Sequence, residues 1–201
     1  RPPSPGYALD GGWTEEEDKE FWRPSEPVFR RRSLILATFA VLVSLVRQAV
    51  ALPALAAEAE THPWVWAGHG FMASQSLAWV VMFGAVSQKA FPLRRAQQVV
   101  VGAFVVAGLC RFFAADATVA VLAGAEVGED AWADFMILGS SLLAGCGILC
   151  ISLPIPHHLL LVPCVLFPLI ALANGVVAVA RGGEANSAKV IVLVIVAFSC
   201  G

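Results

Sequence analysis

The sequence predicts an all-α fold, a polytopic integral membrane protein with about six transmembrane helices behind a short, mostly irregular polar tail. Three observations carry that prediction. Apolar runs start near Ser33, Val65, Gln97, Ala131, His158 and Ser187, and all but the last exceed the ~20 residues that cross a bilayer. Hydrophobic residues make up 58% of the chain and charged ones 14%, against roughly 45–50% and 25% in an average soluble domain. The connections between the runs alternate in charge sign, which a multi-spanning protein needs and a soluble one does not.

The polar tail covers residues 1–29. Arg1-Pro-Pro-Ser-Pro-Gly and Asp10-Gly-Gly are turn and loop formers. Thr14 and Glu17 make a capping box for a short acidic helix through Glu20, with Phe21 and Trp22 behind it. Ser25-Glu26-Pro27 then reads as an N-cap followed by proline in the first turn of a membrane helix. Such a tail cannot build its own core. Its three aromatics, Phe21, Trp22 and Phe29, are expected to bury against a partner protein rather than against its own membrane domain.

The membrane domain spans 30–201, with helices expected near 30–57, 65–87, 96–123, 131–153, 157–180 and 187–201. The third keeps its apolar character past Asp116, through Val119–Ala125. The fourth carries Gly139, Ser140, Ser141, Ala144, Gly145 and Gly147, small residues that let another backbone approach closely. Gly139, Ser140 and Gly145 mark that packing face, which is expected to meet another chain or a flat cofactor. Gly68, Gly70 and Gly84 serve the second helix likewise, and Gly102 with Gly108 the third. Pro163 and Pro168 bend the fifth, and Pro154 and Pro156 mark the turn before it. The last run offers about 15 residues, ~22 Å of helix, against a hydrocarbon core of ~30 Å. The chain is therefore expected to continue past Gly201 or to end inside the bilayer, and a start at Arg1 rather than Met points to processing or an earlier beginning.

Loop charge sets the orientation. Arg30, Arg31 and Arg32 precede the first run, Lys89, Arg94 and Arg95 lie between the second and third, and His157 and His158 open the fifth without a nearby acid. The alternate connections carry Glu58 and Glu60, then Glu126, Glu129 and Asp130, then Arg181, Glu184 and Lys189. The N-terminus is therefore expected on the cytosolic, stromal or matrix side. Trp64, Trp66 and Trp132 fall at the acidic side, as an interfacial aromatic belt requires.

Arg31-Arg32-Ser33-Leu34-Ile35, an apolar stretch and Ala54-Leu55-Ala56-Ala57 together resemble a twin-arginine export signal. The resemblance covers residues 30–57 and implies a plastid thylakoid address ahead of a mitochondrial inner membrane. Arg47 interrupts the apolar stretch, which is also longer than that pattern, so the segment is expected to act as an anchor.

Chemistry is sought at ionisable groups inside the runs, because each is costly there without a partner or water. Arg47 and Arg111 lie ~21 and ~22 Å along their helices, in the acidic-side third of the bilayer. With Asp116, Asp134 and Asn174 they form a candidate polar cluster, completed by Gln48, Ser74 and Gln75. One reading is a vestibule with Arg47 and Arg111 as anion contacts and His69 as a titrating group. The other, preferred on the sequence, pairs the arginines with Asp116, Asp134 or Glu58 to fix helix order.

His69 is a candidate axial ligand to a pigment such as chlorophyll. His62 and His69 lie at the acidic side and His157 and His158 at the basic side, so no pair at matched depth would hold a b-type haem. Cys110, Cys146, Cys150, Cys164 and Cys200 all fall inside apolar runs and are expected as small hydrophobes at helix interfaces. Cys146 and Cys150 are one turn apart, but with no His or acid beside them no metal site is assigned. H-E-x-x-H, G-K-[ST] and G-x-G-x-x-G are absent. These features predict a non-catalytic accessory subunit of a large energy-converting complex, photosynthetic or respiratory, contacting other membrane subunits and lipid. Nucleic acid is not among the expected partners. The alternative is a small transporter or channel with an anion-binding vestibule on the acidic side.

Overall fold

A computed structural model describes residues 20, 22–58, 65–114, 142 and 144–181; of 51, 54–58, 65, 174, 175 and 177–181 it describes the backbone alone. Every regular element among the described residues is helical. A 3-10 turn at Arg23–Ser25 leads into α1, Glu26–Glu58. Then come α2, Val65–Ser87, and α3, Leu93–Phe113. Residues 144–147 are helical and pass into a π-helical turn at Ile148–Ser152, followed by α4, His157–Arg181.

The helix starts follow from local chemistry. α1 begins at Glu26 with Pro27 in its first turn, where a missing N–H costs nothing. The Ser25 hydroxyl donates back to the Trp22 carbonyl at 2.7 Å and so closes the entering 3-10 turn. α3 begins after Pro92, whose extended backbone ends the 88–92 connection. It stops at Phe113, where the Ala114 N–H bonds the Cys110 carbonyl, short of the expected 123. Residues 115–141 lie outside the described residues. Inside the helices, hydroxyls turn back on their own backbone: Thr38 donates to Leu34, Ser74 to Gly70 and Ser87 to Gly84. Each bond satisfies the hydroxyl on its own helix. Pro163 and Pro168 both sit within α4, where the absent N–H groups remove the regular helical donors to the Leu159 and Cys164 carbonyls.

Among the described residues, three helices are long and apolar enough to cross a membrane: Arg23–Val50, Trp66–Ser87 and Leu93–Phe113, with a shorter apolar helix at His157–Ala173. The helices are compatible with membrane integration. The expected helices near 131–153 and 187–201 fall largely or wholly outside the described residues, so three of the expected six are matched by helices of spanning length and apolarity.

α2 packs against both α1 and α3, and α4 packs against α3. The largest fully buried side chains are Phe29, Phe167, Met82 and Leu149. Phe29 corrects an expectation: it is buried in the chain's own core and is not an anchor for a partner. It lies one turn before Ser33 and two before Ala37, and all three are fully buried, so the first turns of α1 present one inward stripe. A methyl built on Gly145, one of the expected helix-packing residues, would meet Phe104 of α3 and Phe167 of α4 at 3.7–3.9 Å, so on this side it approaches helices of its own chain. Gly139 and Ser140 lie outside the described residues.

Candidate functional site

The two ends of the bundle are built differently, and the difference locates the site. At the Arg30 end, side chains reach across to backbone carbonyls in and beside the connections between helices. Arg30 donates through Nε to Glu26 at 2.8 Å, through Nη1 to the Gln88 carbonyl at 3.0 Å, and through Nη2 to the Phe91 carbonyl. Arg32 donates to the Ser152 carbonyl at 2.8 Å, where the π turn ends. Gln97, buried, donates to the Pro154 carbonyl at 3.0 Å. Gln88 and Ser152 lie at helix C-terminal ends, whose partial negative charge suits a guanidinium.

At the opposite end, no described α1 side chain after Ala37 is buried, and none of α2 before Trp79. Between these stretches a groove of about 340 Å³ opens, its apolar wall including Phe39, Val43, Trp79 and Phe104. Arg47, Ser44, Gln75 and Ser76 bring polar groups to the same groove. Gln48 bridges α1 to α2, its amide donating to the Met72 carbonyl at 3.3 Å and to the Ser76 hydroxyl. Arg111 reaches the Met72 sulfur from α3 at 4.0 Å. Arg47 and Arg111 are thus gathered around one turn of α2. The helical rise agrees, since Arg47 lies 17 residues after Arg30 and Arg111 lies 18 after Leu93, ~26 and ~27 Å along. Amphipathic matter with an anionic head is the chemistry such a groove can hold, because a guanidinium sits at a polar end and aromatic rings line the rest.

The other predicted residues fall as follows. His69, half-buried in the first turns of α2, meets the Trp66 ring edge-on at a centroid distance of 6.0 Å. Asp116 and Asp134 lie outside the described residues, as do the side chains of Glu58 and Asn174, so their expected pairing with the arginines does too.

Two features escaped the sequence reading. Cys164 of α4 comes within 3.6 Å of both Cys146 and Cys150, sulfur to sulfur. A C-x-x-x-C pair was visible in the sequence, but its third thiol comes from a separate helix. The second feature is a cleft of about 970 Å³ at the Arg30 end, lined by Arg23, Lys89, Arg94 and Arg95 together with Glu20 and Glu26. Its basic loop was read for topology alone. Comparison of the chain with protein families, with curated proteins and with solved structures gave no match.

Proposed function

We propose that this chain is a non-catalytic membrane subunit of a larger energy-converting assembly, joining neighbouring subunits and holding lipid or pigment at its faces. One observation carries the reading. Ile35, Phe39, Leu42, Val46 and Val50 are each more than half exposed, Val50 the most at 74%. Their spacing of four, three, four and four puts them on one face of α1, a continuous apolar stripe ~22 Å long. On α4, Leu161, Val165 and Leu169 make a second exposed row at one-turn intervals. A protein with apolar rows on two separate helices has two faces to offer to neighbours or lipid.

The finer parts of the proposal rest on the sequence: about six spans, an N-terminus on the stromal, matrix or cytosolic side, and a thylakoid ahead of a mitochondrial address. The loop charges and the Arg31-Arg32 pair support them. Blue-native electrophoresis of mildly solubilised native membranes is the test. The chain should migrate in a band far heavier than itself; migration solely as a monomer or homodimer would refute the subunit reading. Arg47 on the groove favours a second reading, a small transporter with an anion site. That reading requires anion flux in vesicles reconstituted with the chain alone, sensitive to Arg47→Gln.

A further inference from the structure

The geometry points to a three-thiolate site for monovalent copper, formed by Cys146, Cys150 and Cys164. The sulfurs of Cys146 and Cys150 each lie 3.6 Å from that of Cys164, and all three fall within 4.8 Å of one another. A metal bound ~2.3 Å from each of three sulfurs in a plane sets those sulfurs about 4 Å apart. The three thiols already stand near that spacing. They are too far apart for a disulfide, whose sulfurs lie ~2.05 Å from each other, and the described cysteines are free.

The local fold explains the convergence. Cys146 and Cys150 are separated by one helical turn, and the π turn that starts at Ile148 carries Cys150. Single π-helical turns within helices often accompany functional sites, because the extra residue re-aims side chains. Cys164 follows Pro163 in α4 and faces both thiols. Cys150 is exposed while Cys146 and Cys164 are half-buried, which gives an ion a way in from one side. Arg32 donates to the Ser152 carbonyl two residues beyond Cys150, placing positive charge at the same end of the segment.

The donor set chooses the ion. Soft thiolates select Cu(I) or Zn(II) over magnesium, calcium and manganese, which prefer oxygen. Structural zinc is held by four ligands in a tetrahedron; here the group contains three sulfurs and no His, Asp or Glu among the described residues. Trigonal sulfur alone suits Cu(I). Each thiol that ligates as thiolate releases its proton on binding. A role as small apolar side chains accounts for cysteines in apolar helices, but it gives no reason for three to converge from two elements.

The test uses the full chain, purified in detergent under reducing, anaerobic conditions and titrated with Cu(I) in competition with bicinchoninate. One equivalent should be held against the chelator, and X-ray absorption should report a sulfur-only first shell at ~2.3 Å. Cys150→Ser alters an exposed side chain and Cys164→Ser a half-buried one. Each should weaken Cu(I) binding by more than ~10-fold, since even outer-shell partners change metal affinity by ~10–100-fold. Cys110→Ser, outside the group, should leave binding unchanged. Gel filtration and circular dichroism establish that each variant is folded. Failure of the folded protein to hold Cu(I), equal binding by Cys150→Ser, retention of Zn(II) in place of Cu(I), or a disulfide joining Cys164 to either partner in protein prepared without oxidant would each overturn the assignment.

Discussion

The Arg30 end and the Arg47 end of the bundle are made from the same helices and obey different rules. At the Arg30 end, α1 buries Phe29, Ser33 and Ala37, α2 buries Trp79, Met82 and Val86, and arginine and glutamine side chains stitch helix ends to loops. At the Arg47 end, α1 and α2 bury no described side chain, and Gln48 provides the cross-helix amide link. Apolarity does not make the difference, since Leu42, Leu45 and Val46 are as apolar as anything in the core. Where lipid replaces water, apolar surface gains little by burial, and close fit with polar links decides which faces join. One end is a frame of buried side chains and cross-helix bonds, and at the other the described α1 and α2 side chains are unburied.

The largest effect expected is at the centre of the frame. Phe167 is 1% exposed and lies against both Gly108 and Gly145. Phe167→Ala should lower stability by about 3–5 kcal/mol through lost packing and a cavity. The reciprocal change tests the same contact. A methyl added at Gly108 would fall 2.8 Å from Phe167 Cε1, whereas one at Gly102 meets nothing within 4 Å. Gly108→Ala should therefore cost about 1–3 kcal/mol, and Gly102→Ala should be neutral or gain up to ~1 kcal/mol from helix propensity. SDS-driven unfolding of the detergent-solubilised chain measures both. Equal behaviour of the two glycine variants would mean that α3 and α4 do not meet as described.

A smaller effect belongs to Arg30, whose side chain is 14% exposed while bonding Glu26 and two carbonyls of the 88–92 connection. Arg30→Gln should cost about 1.5–3 kcal/mol, the range for hydrogen bonds to a charged group. It should also speed amide exchange in residues 88–92 while leaving α2 unaffected near Gln48. If exchange rises evenly along α2, the frame does not end where the burial pattern puts it.

How much of this was legible in the sequence differs between the two ends. The span of α2 was read at 65–87, and Ser25-Glu26-Pro27 located the start of α1. Both rest on local signals, hydrophobic length and a proline in the first turn, although the Ser25 hydroxyl expected to cap α1 bonds the Trp22 carbonyl instead. Arg30–Arg32 were read as determinants of topology, which loop charge does encode. Their bonds to the Gln88, Phe91 and Ser152 carbonyls are tertiary facts that loop charge does not reveal. Phe29 was misassigned for a related reason. Phe29 adjoins Arg30–Arg32, and the inward stripe it shares with Ser33 and Ala37 holds only one large apolar side chain, so composition does not mark that face as buried. That Arg47 lines a groove with Met72 and Arg111 reaches the Met72 sulfur agrees with their similar distances along α1 and α3. The arrival of Cys164 beside Cys146 and Cys150 was not legible, because those residues are separated by a turn whose geometry the sequence does not specify.

The smallest effects on the chain itself are expected on the outward face at the Arg47 end, and they test its proposed role most sharply. Gln48→Leu removes the amide link to Met72 and Ser76 and should cost about 0.6 kcal/mol, the average for polar contacts between membrane helices. Phe39→Ala and Val46→Ala lie on the exposed α1 stripe and should each change the isolated chain's stability by less than ~0.5 kcal/mol. If lipid alone covers that stripe, the two substitutions should also leave the native-membrane band unchanged. If a neighbouring subunit covers it, small side chains leave voids against the partner. The heavy band should then dissociate at lower detergent, although the purified chain unfolds as before. Leu42→Trp separates the cases further, since lipid flows around an indole and a fitted protein surface does not. An intact assembly carrying Leu42→Trp would assign the α1 stripe to lipid and leave α4 as the face through which a partner must bind.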